Sequence, residues 1–261
     1  MRTRKMIRAI FSADDNKLSF SLPQSWDELS QDELAMVFRS LQRNPSSEQA
    51  RLAILLHLTG MSIIYREATR WRCKVRAVCS GKDTTISFLI DREKMAWMIE
   101  QLEWVQRPGN IPVRLDELRH RWHSYSALNA AFHGVPFKTY LIGENCYQGV
   151  LMSRSMGAIS QLAGVLYPGI TRALEEWEQL MIIQWWAQLK EMFAQLFPVF
   201  FKPGGGTEPD MRSIMDNQIR ALTGGDITKE NEVLEMDTWR ALTELNAKAQ
   251  EAEDFKKSSK K

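Results

Sequence analysis

Residues 170–202 read ITRALEEWEQLMIIQWWAQLKEMFAQLFPVFFK, from Ile170 to Lys202. This stretch holds three of the nine tryptophans and four of the eleven phenylalanines. At helical rise it runs as one helix until Pro198, which cannot continue the hydrogen-bond ladder. Its aromatic load is too large to leave in water, so it needs a core, a partner or a bilayer around it. Lys190 and Glu191 stand near its middle, and a lysine at bilayer mid-depth costs about 2.5–3.5 kcal/mol. The reading is therefore a core helix without a membrane span. Its apolar end, Phe197, Phe200 and Phe201, runs into a hinge and is the first place to look for a covered or docking surface.

The 261 residues are enough for one substantial core with an appendage. Hydrophobic residues at 44% and charged residues at 25% match an ordinary globular composition and argue against disorder. A net charge of +2 gives no bulk field that would favour nucleic acid or an acidic substrate. Cys73, Cys79 and Cys146 read as free thiols of a reducing compartment. The N-terminus is basic, but no continuous apolar run follows it, which speaks against a secretory signal. The expectation is a cytoplasmic protein.

Along the chain, residues 6–11 and 17–22 flank Ala13-Asp14-Asp15-Asn16 as a first β-hairpin. Ser25 and Ser30 each stand three residues before a glutamate, the capping-box spacing, and the second box starts a helix with Leu34, Val37, Phe38 and Leu41 on one face. A helix over 47–59 ends at Gly60. Residues 73–79 and 84–90 flank Ser80-Gly81-Lys82-Asp83 as a second hairpin. Asp91 caps a helix over 92–105 that Pro108-Gly109-Asn110 breaks. Asp116 opens another through Leu118, Trp122 and Tyr125. Helices over 137–152, with Gly143 and Gly149 weakening the pattern, and over 155–166 precede the organising helix. Lys202 to Pro209 is the best linker in the chain. Helices over 210–222 and 237–254 follow it, joined through Thr223-Gly224-Gly225-Asp226 and a short segment capped at Thr228.

Few of these residues point to chemistry. Glu117, His120 and His123 would share one helical face, half of a di-iron carboxylate set, but no second Glu-x-x-His exists and Arg119 and Arg121 oppose a cation there. Cys73 and Cys79 lack a second ligand pair. Ser153 and Ser155 have no nucleophile-elbow context. Gly204-Gly205-Gly206 lacks the following Lys-Ser/Thr of a phosphate loop and reads as a hinge. No catalytic, metal or cofactor site is expected. Arg66, Arg70, Arg72, Lys74 and Arg76 gather around Trp71, a basic and aromatic mixture that can hold single-stranded nucleic acid; on a strand, however, 72, 74 and 76 are simply the outward face.

Three stretches form a set: Leu22-Pro23-Gln24-Ser25-Trp26-Asp27-Glu28-Leu29-Ser30, Leu166-Tyr167-Pro168, and Leu222-Thr223-Gly224-Gly225-Asp226-Ile227-Thr228-Lys229-Glu230 with Trp239-Arg240-Ala241-Leu242-Thr243-Glu244-Leu245-Asn246. In this order they resemble uncharacterised proteins of Bacteroidetes phages and prophages, encoded among tail genes. The resemblance implies a part in virion morphogenesis, as a tail-assembly or tail-structural protein, with no active site to carry over. Independently of it, Trp239, Leu242 and Leu245 make an apolar stripe that a two-helix unit cannot bury alone.

The expected fold is mainly α (α+β): a helical core over 1–203 with two small β-hairpins, a hinge at 204–209, a helical arm at 210–255 and a basic tail at 256–261. The expected function is non-enzymatic, through contacts with a phage tail or tail-assembly protein or with further copies of itself, during assembly in the host cytoplasm or in the virion. Trp239, Leu242, Leu245, Phe197, Phe200 and Phe201 are the expected docking residues. Nucleic-acid association through Arg70, Trp71, Arg72, Lys74 and Arg76 is the alternative.

Overall fold

The computed structural model describes residues 9–12, 17–44, 46–79, 82–107, 109, 111–153, 156–202 and 211–259. The chain divides into two compact units, 1–109 and 110–261. The fold is mainly α, of the α+β class. The division falls inside Pro108-Gly109-Asn110, which local reading took only as a helix breaker. The expected hinge at 204–209 lies outside the described residues. No helix among the described residues is long and apolar enough to cross a membrane.

In the first unit, β1 (Ala9–Ser12) and β2 (Lys17–Phe20) pair antiparallel, and β3 (Ser62–Arg66), β4 (Arg70–Cys79) and β5 (Lys82–Asp91) follow. Both expected hairpins form, and they belong to one five-stranded sheet. β4 is its centre: β5 runs antiparallel along its whole length, β3 pairs with its first half, and β1 meets it in parallel at Ile10 and Val78. Strand alternation sets its two faces. Cys73, Val75 and Ala77 are buried, with Leu18, Phe20, Ile86 and Phe88 packed against the last two. Burial pushes the Cys73 thiol above its ordinary range, against the lowering pull of Arg66.

Helices α1 (Gln31–Arg43), α2 (Ser47–Thr59) and α3 (Arg92–Glu100) complete this unit. Ser30 makes the full capping box with Glu33, and Leu34, Val37 and Phe38 are the buried face of α1. Gly60 ends α2 at a φ of 68°, the left-handed conformation that glycine adopts without steric cost. Ser25 forms no cap; what it precedes is a single 3-10 turn, Trp26–Glu28. Trp26 is the anchor of that motif. It stacks on Phe38 at 5.4 Å, meets Trp104 edge-on at 5.3 Å, and donates its Nε1 hydrogen to the Arg107 carbonyl at 2.9 Å. The helix expected over 92–105 stops at Glu100 and resumes as a 3-10 turn, Glu103–Gln106.

The second unit contains β6 (Glu117–His120), β7 (His123–Ser126), α4 (Phe137–Ser153), α5 (Met156–Leu166), α6 (Glu176–Leu196), α7 (Met211–Thr223), α8 (Glu230–Glu235) and α9 (Thr238–Ser258). The expected helix from Asp116 is instead the β6–β7 hairpin, turning at Arg121-Trp122. Leu118 and Tyr125, four and three residues either side of Trp122, mimic a helical stripe because they are cross-strand partners. Glu117 therefore faces Ser126, and His120 faces His123 across the tip. Arg121 adopts a φ of 52°, and Trp122 is 97% exposed. The Ser124 hydroxyl and the Arg119 guanidinium hold the Glu117 carboxyl below its ordinary range. Among the described residues, no three potential ligand side chains gather as a metal site.

α6 is the centre of this unit: Met181, Ile182, Trp185, Trp186, Leu189 and Phe193 are all fully buried. Trp185 donates to the Ala130 carbonyl at 2.8 Å, and the Gln188 carbonyl oxygen accepts from the Val113 amide at 2.9 Å. Trp186 lies among Phe132, Tyr140 and Tyr147. It also covers Gly143 of α4 so closely that a Cβ there would come within 2.1 Å of the indole. Gly143 is thus what lets α4 and α6 approach, the opposite of a weak point. Just before α6, Arg172 clasps Glu178 with two hydrogen bonds of 2.6 and 2.5 Å; Glu178 is buried and Arg172 half-buried.

Candidate partner-binding groove

The C-terminal helices were expected to form an arm whose apolar stripe is covered either by the core or by a partner. Within the second unit the chain itself covers it. Leu242 and Leu245 of α9 and Phe197 after α6 are buried. Trp239 is half-buried: it stacks on His133 at 4.3 Å, meets Phe193 and Phe197 edge-on, and donates to the Ala131 carbonyl at 2.7 Å. Asp237 caps α9 through the Trp239 and Arg240 amides and reaches the Gly134 amide with its other oxygen, at 2.7 Å. Thr238 closes the joint by donating its hydroxyl hydrogen to the Val135 carbonyl at 2.7 Å. The sequence correctly requires a cover for this stripe, and the chain itself supplies it.

Phe200 and Phe201 remain half-buried, in contact with each other at 4.9 Å between ring centres. The turn that carries them is tied to α9, because the Asn246 side-chain oxygen accepts from both the Val199 and Phe200 amides at 3.1 Å. They line a groove of about 840 Å³ with residues of α4, α6, α7 and α9. Helical periodicity puts each contributor in place. Tyr140, Leu141, Glu144 and Gln148 come from one side of α4, Ile214, Met215, Gln218 and Ala221 from one side of α7, and Leu245, Lys248 and Ala249 from α9. The walls are apolar.

The floor is polar. Glu144 accepts from the Lys190 ammonium, from the Gln148 amide at 2.8 Å and from the Trp186 indole at 2.9 Å. Lys190 also lies 5.5 Å from the Tyr147 ring centre. Burial, reinforced by the nearby Glu144 carboxylate, holds the Tyr140 hydroxyl protonated well above the ordinary phenol range and raises Tyr147 as well. On the floor, the Glu144 carboxylate is matched by Lys190 and by neutral donors. Phe200, Phe201 and Leu245 were expected as docking residues, but local patterns gave no sign of the polar floor. The one available signal for that floor was Lys190 near the middle of the aromatic-rich helix, because a lysine withdrawn from water requires a carboxylate partner.

The basic segment lies in the first unit, where β3 and β4 place its members. Arg70 pairs with Asp91 at 3.0 Å, and Arg66 stacks over Trp71 at 4.5 Å. Arg72, Lys74 and Arg76 are exposed on one face of β4, and the residues opposite them on β5, Leu89, Ser87 and Thr85, carry no charge. Arg72 also covers Tyr65 of β3 at 5.4 Å. Trp71 alone of the five expected contact residues is not exposed. No protein-family model, no curated protein and no solved structure matches the chain.

Proposed function

We propose that the chain is a non-enzymatic protein-binding component of phage tail assembly, acting in the host cytoplasm and taking its partner in the groove lined by α4, α7 and α9. The groove carries this reading: an open, mainly apolar recess of about 840 Å³ built from four helices is a surface that a partner's apolar side chains would fill. The tail context rests on the resemblance of the motifs around Trp26, Tyr167 and Trp239. Half of the residues first chosen for docking, Phe200, Phe201 and Leu245, line this groove. Co-expression with the neighbouring tail genes should yield a complex that co-purifies. The double variant Phe201→Glu, Ile214→Glu should lose the partner while keeping the helical circular-dichroism signal. A chain that stays partnerless, or a double variant that binds as well as the parent, overturns the proposal.

A second reading, nucleic-acid association, has its own observation in β4. Arg72, Lys74 and Arg76 recur every second residue, about 6.6–6.8 Å apart, facing solvent beside an exposed tyrosine. Retention on single-stranded DNA should fall with salt and disappear on changing all three to glutamine. Retention that survives the triple change removes this reading.

A further inference from the structure

The charges of the groove are not balanced. Its lining brings two ammonium groups, Lys190 and Lys248, to a single carboxylate, Glu144. Glu144 is already occupied by Lys190, Gln148 and Trp186, whereas Lys248 is exposed at the groove. Anions are therefore favoured in a recess whose walls are otherwise apolar. Gln218, also in the lining, has its side-chain oxygen shielded from water and without a hydrogen-bond donor. An acceptor in that state is costly until a donor reaches it.

We propose that the groove receives the apolar C-terminal residues of a partner protein, with the terminal carboxylate at Lys190 and Lys248 and the side chains against Leu141, Phe201 and Ile214. This rests on the protein-binding reading above and names the part of the partner that is bound. A C-terminal apolar residue carries its carboxylate and its hydrophobic group on the same α-carbon, which matches ammonium groups set beside apolar walls. Rotation of the Gln218 amide into the groove would let its oxygen accept the peptide N–H. The groove's size, about 840 Å³, suits a few residues and not a whole helix.

The chemistry is tested on the full chain with two fluorescent probes of similar aromatic body. One is the anion 8-anilinonaphthalene-1-sulfonate; the other is uncharged N-phenyl-1-naphthylamine. The anion should bind at one site, and Lys248→Gln should weaken it about fivefold while leaving the neutral probe unchanged. Lys190→Gln should weaken it at least as much, and Lys248→Gln decides the case if Lys190→Gln does not fold. Displacement then identifies the source of the carboxylate. Acetyl-Leu-Leu-Phe as the free acid should displace the anionic probe at about tenfold lower concentration than its C-terminal amide. Equal displacement by acid and amide, an unchanged Lys248→Gln variant, or displacement by dodecanoate alone overturns the inference. If Phe201→Glu, Ile214→Glu still abolishes tail-partner binding in that event, the groove remains a docking site and only its occupant is wrong. Should the partner instead bind that double variant normally, the protein-binding reading itself fails.

Discussion

On β4 of the first unit, Arg72, Lys74 and Arg76 stand in water opposite uncharged residues. In the second unit Arg172 and Lys190 are largely withdrawn from it, each against a glutamate. Both arrangements place cations beside the most apolar parts of their units. On a strand, alternation sends every second side chain outward, so a charge needs no partner to be tolerated. Against the buried side of α6, which Arg172 meets from the segment before the helix, there is no outward direction, and a charge persists only with a counter-charge and hydrogen bonds around it. The first set is therefore dispensable for folding, and the second is part of the architecture.

Arg172→Met is the strongest way to break that contrast. It strands Glu178, which is buried and would keep the Glu175 amide at 2.9 Å but lose its guanidinium partner. A loss of about 3–5 kcal/mol is expected in chemical denaturation. A loss below about 1 kcal/mol, the range of an exposed pair, would show that the Arg172–Glu178 clasp is not structural.

Alkaline titration probes the same difference through uncharged groups. Burial raises Tyr140, Tyr147 and Tyr167 in the second unit, the last despite the opposing influence of Arg114. The first unit has only Tyr65, which is exposed. A folded-state pKa above the unfolded one gives stability that is complete below the unfolded value, about 10, and is lost as pH rises beyond it. Each tyrosine should remove up to about 1.4 kcal/mol per pH unit in that window. Urea midpoints between pH 9 and 11.5, read beside tyrosinate absorbance, should fall as tyrosinate appears. A midpoint independent of pH across that range would contradict it.

The smallest effect belongs to the β4 cations. Changing Arg72, Lys74 and Arg76 to glutamine should alter stability by no more than about 0.5 kcal/mol per site. A larger loss would mean that this face is structural, and it would erase the contrast between the units.

Where a local rule has one outcome, the sequence was a sufficient guide. Ser30 with Glu33, Gly60, and the alternation of β4 and β5 depend on neighbours within a few positions, and the structure follows them closely. The β6–β7 hairpin was misread because its turn is Arg121-Trp122, without the glycine or asparagine that marks a tight turn, while Leu118, Trp122 and Tyr125 happen to fall at helical spacing. The polar floor of the groove was hidden for a different reason. Glu144, Lys190 and Gln218 sit on three helices that meet only in the tertiary structure, and no spacing within one helix announces that meeting. The boundary at Pro108-Gly109-Asn110 was visible as composition, but such a break separates helices as readily as domains.

Gly143 and Trp186 also constrain how this protein can change over generations. The 2.1 Å approach leaves no room for any side chain at 143 while a tryptophan occupies 186, and the indole, enclosed by Phe132, Tyr140 and Tyr147, has nowhere to retreat. A smaller ring arising first would leave a void, and a methyl group arising first would meet a wall. The order of change therefore matters: a side chain at 143 requires the indole at 186 to go first, and the Trp186 hydrogen bond to Glu144 goes with it.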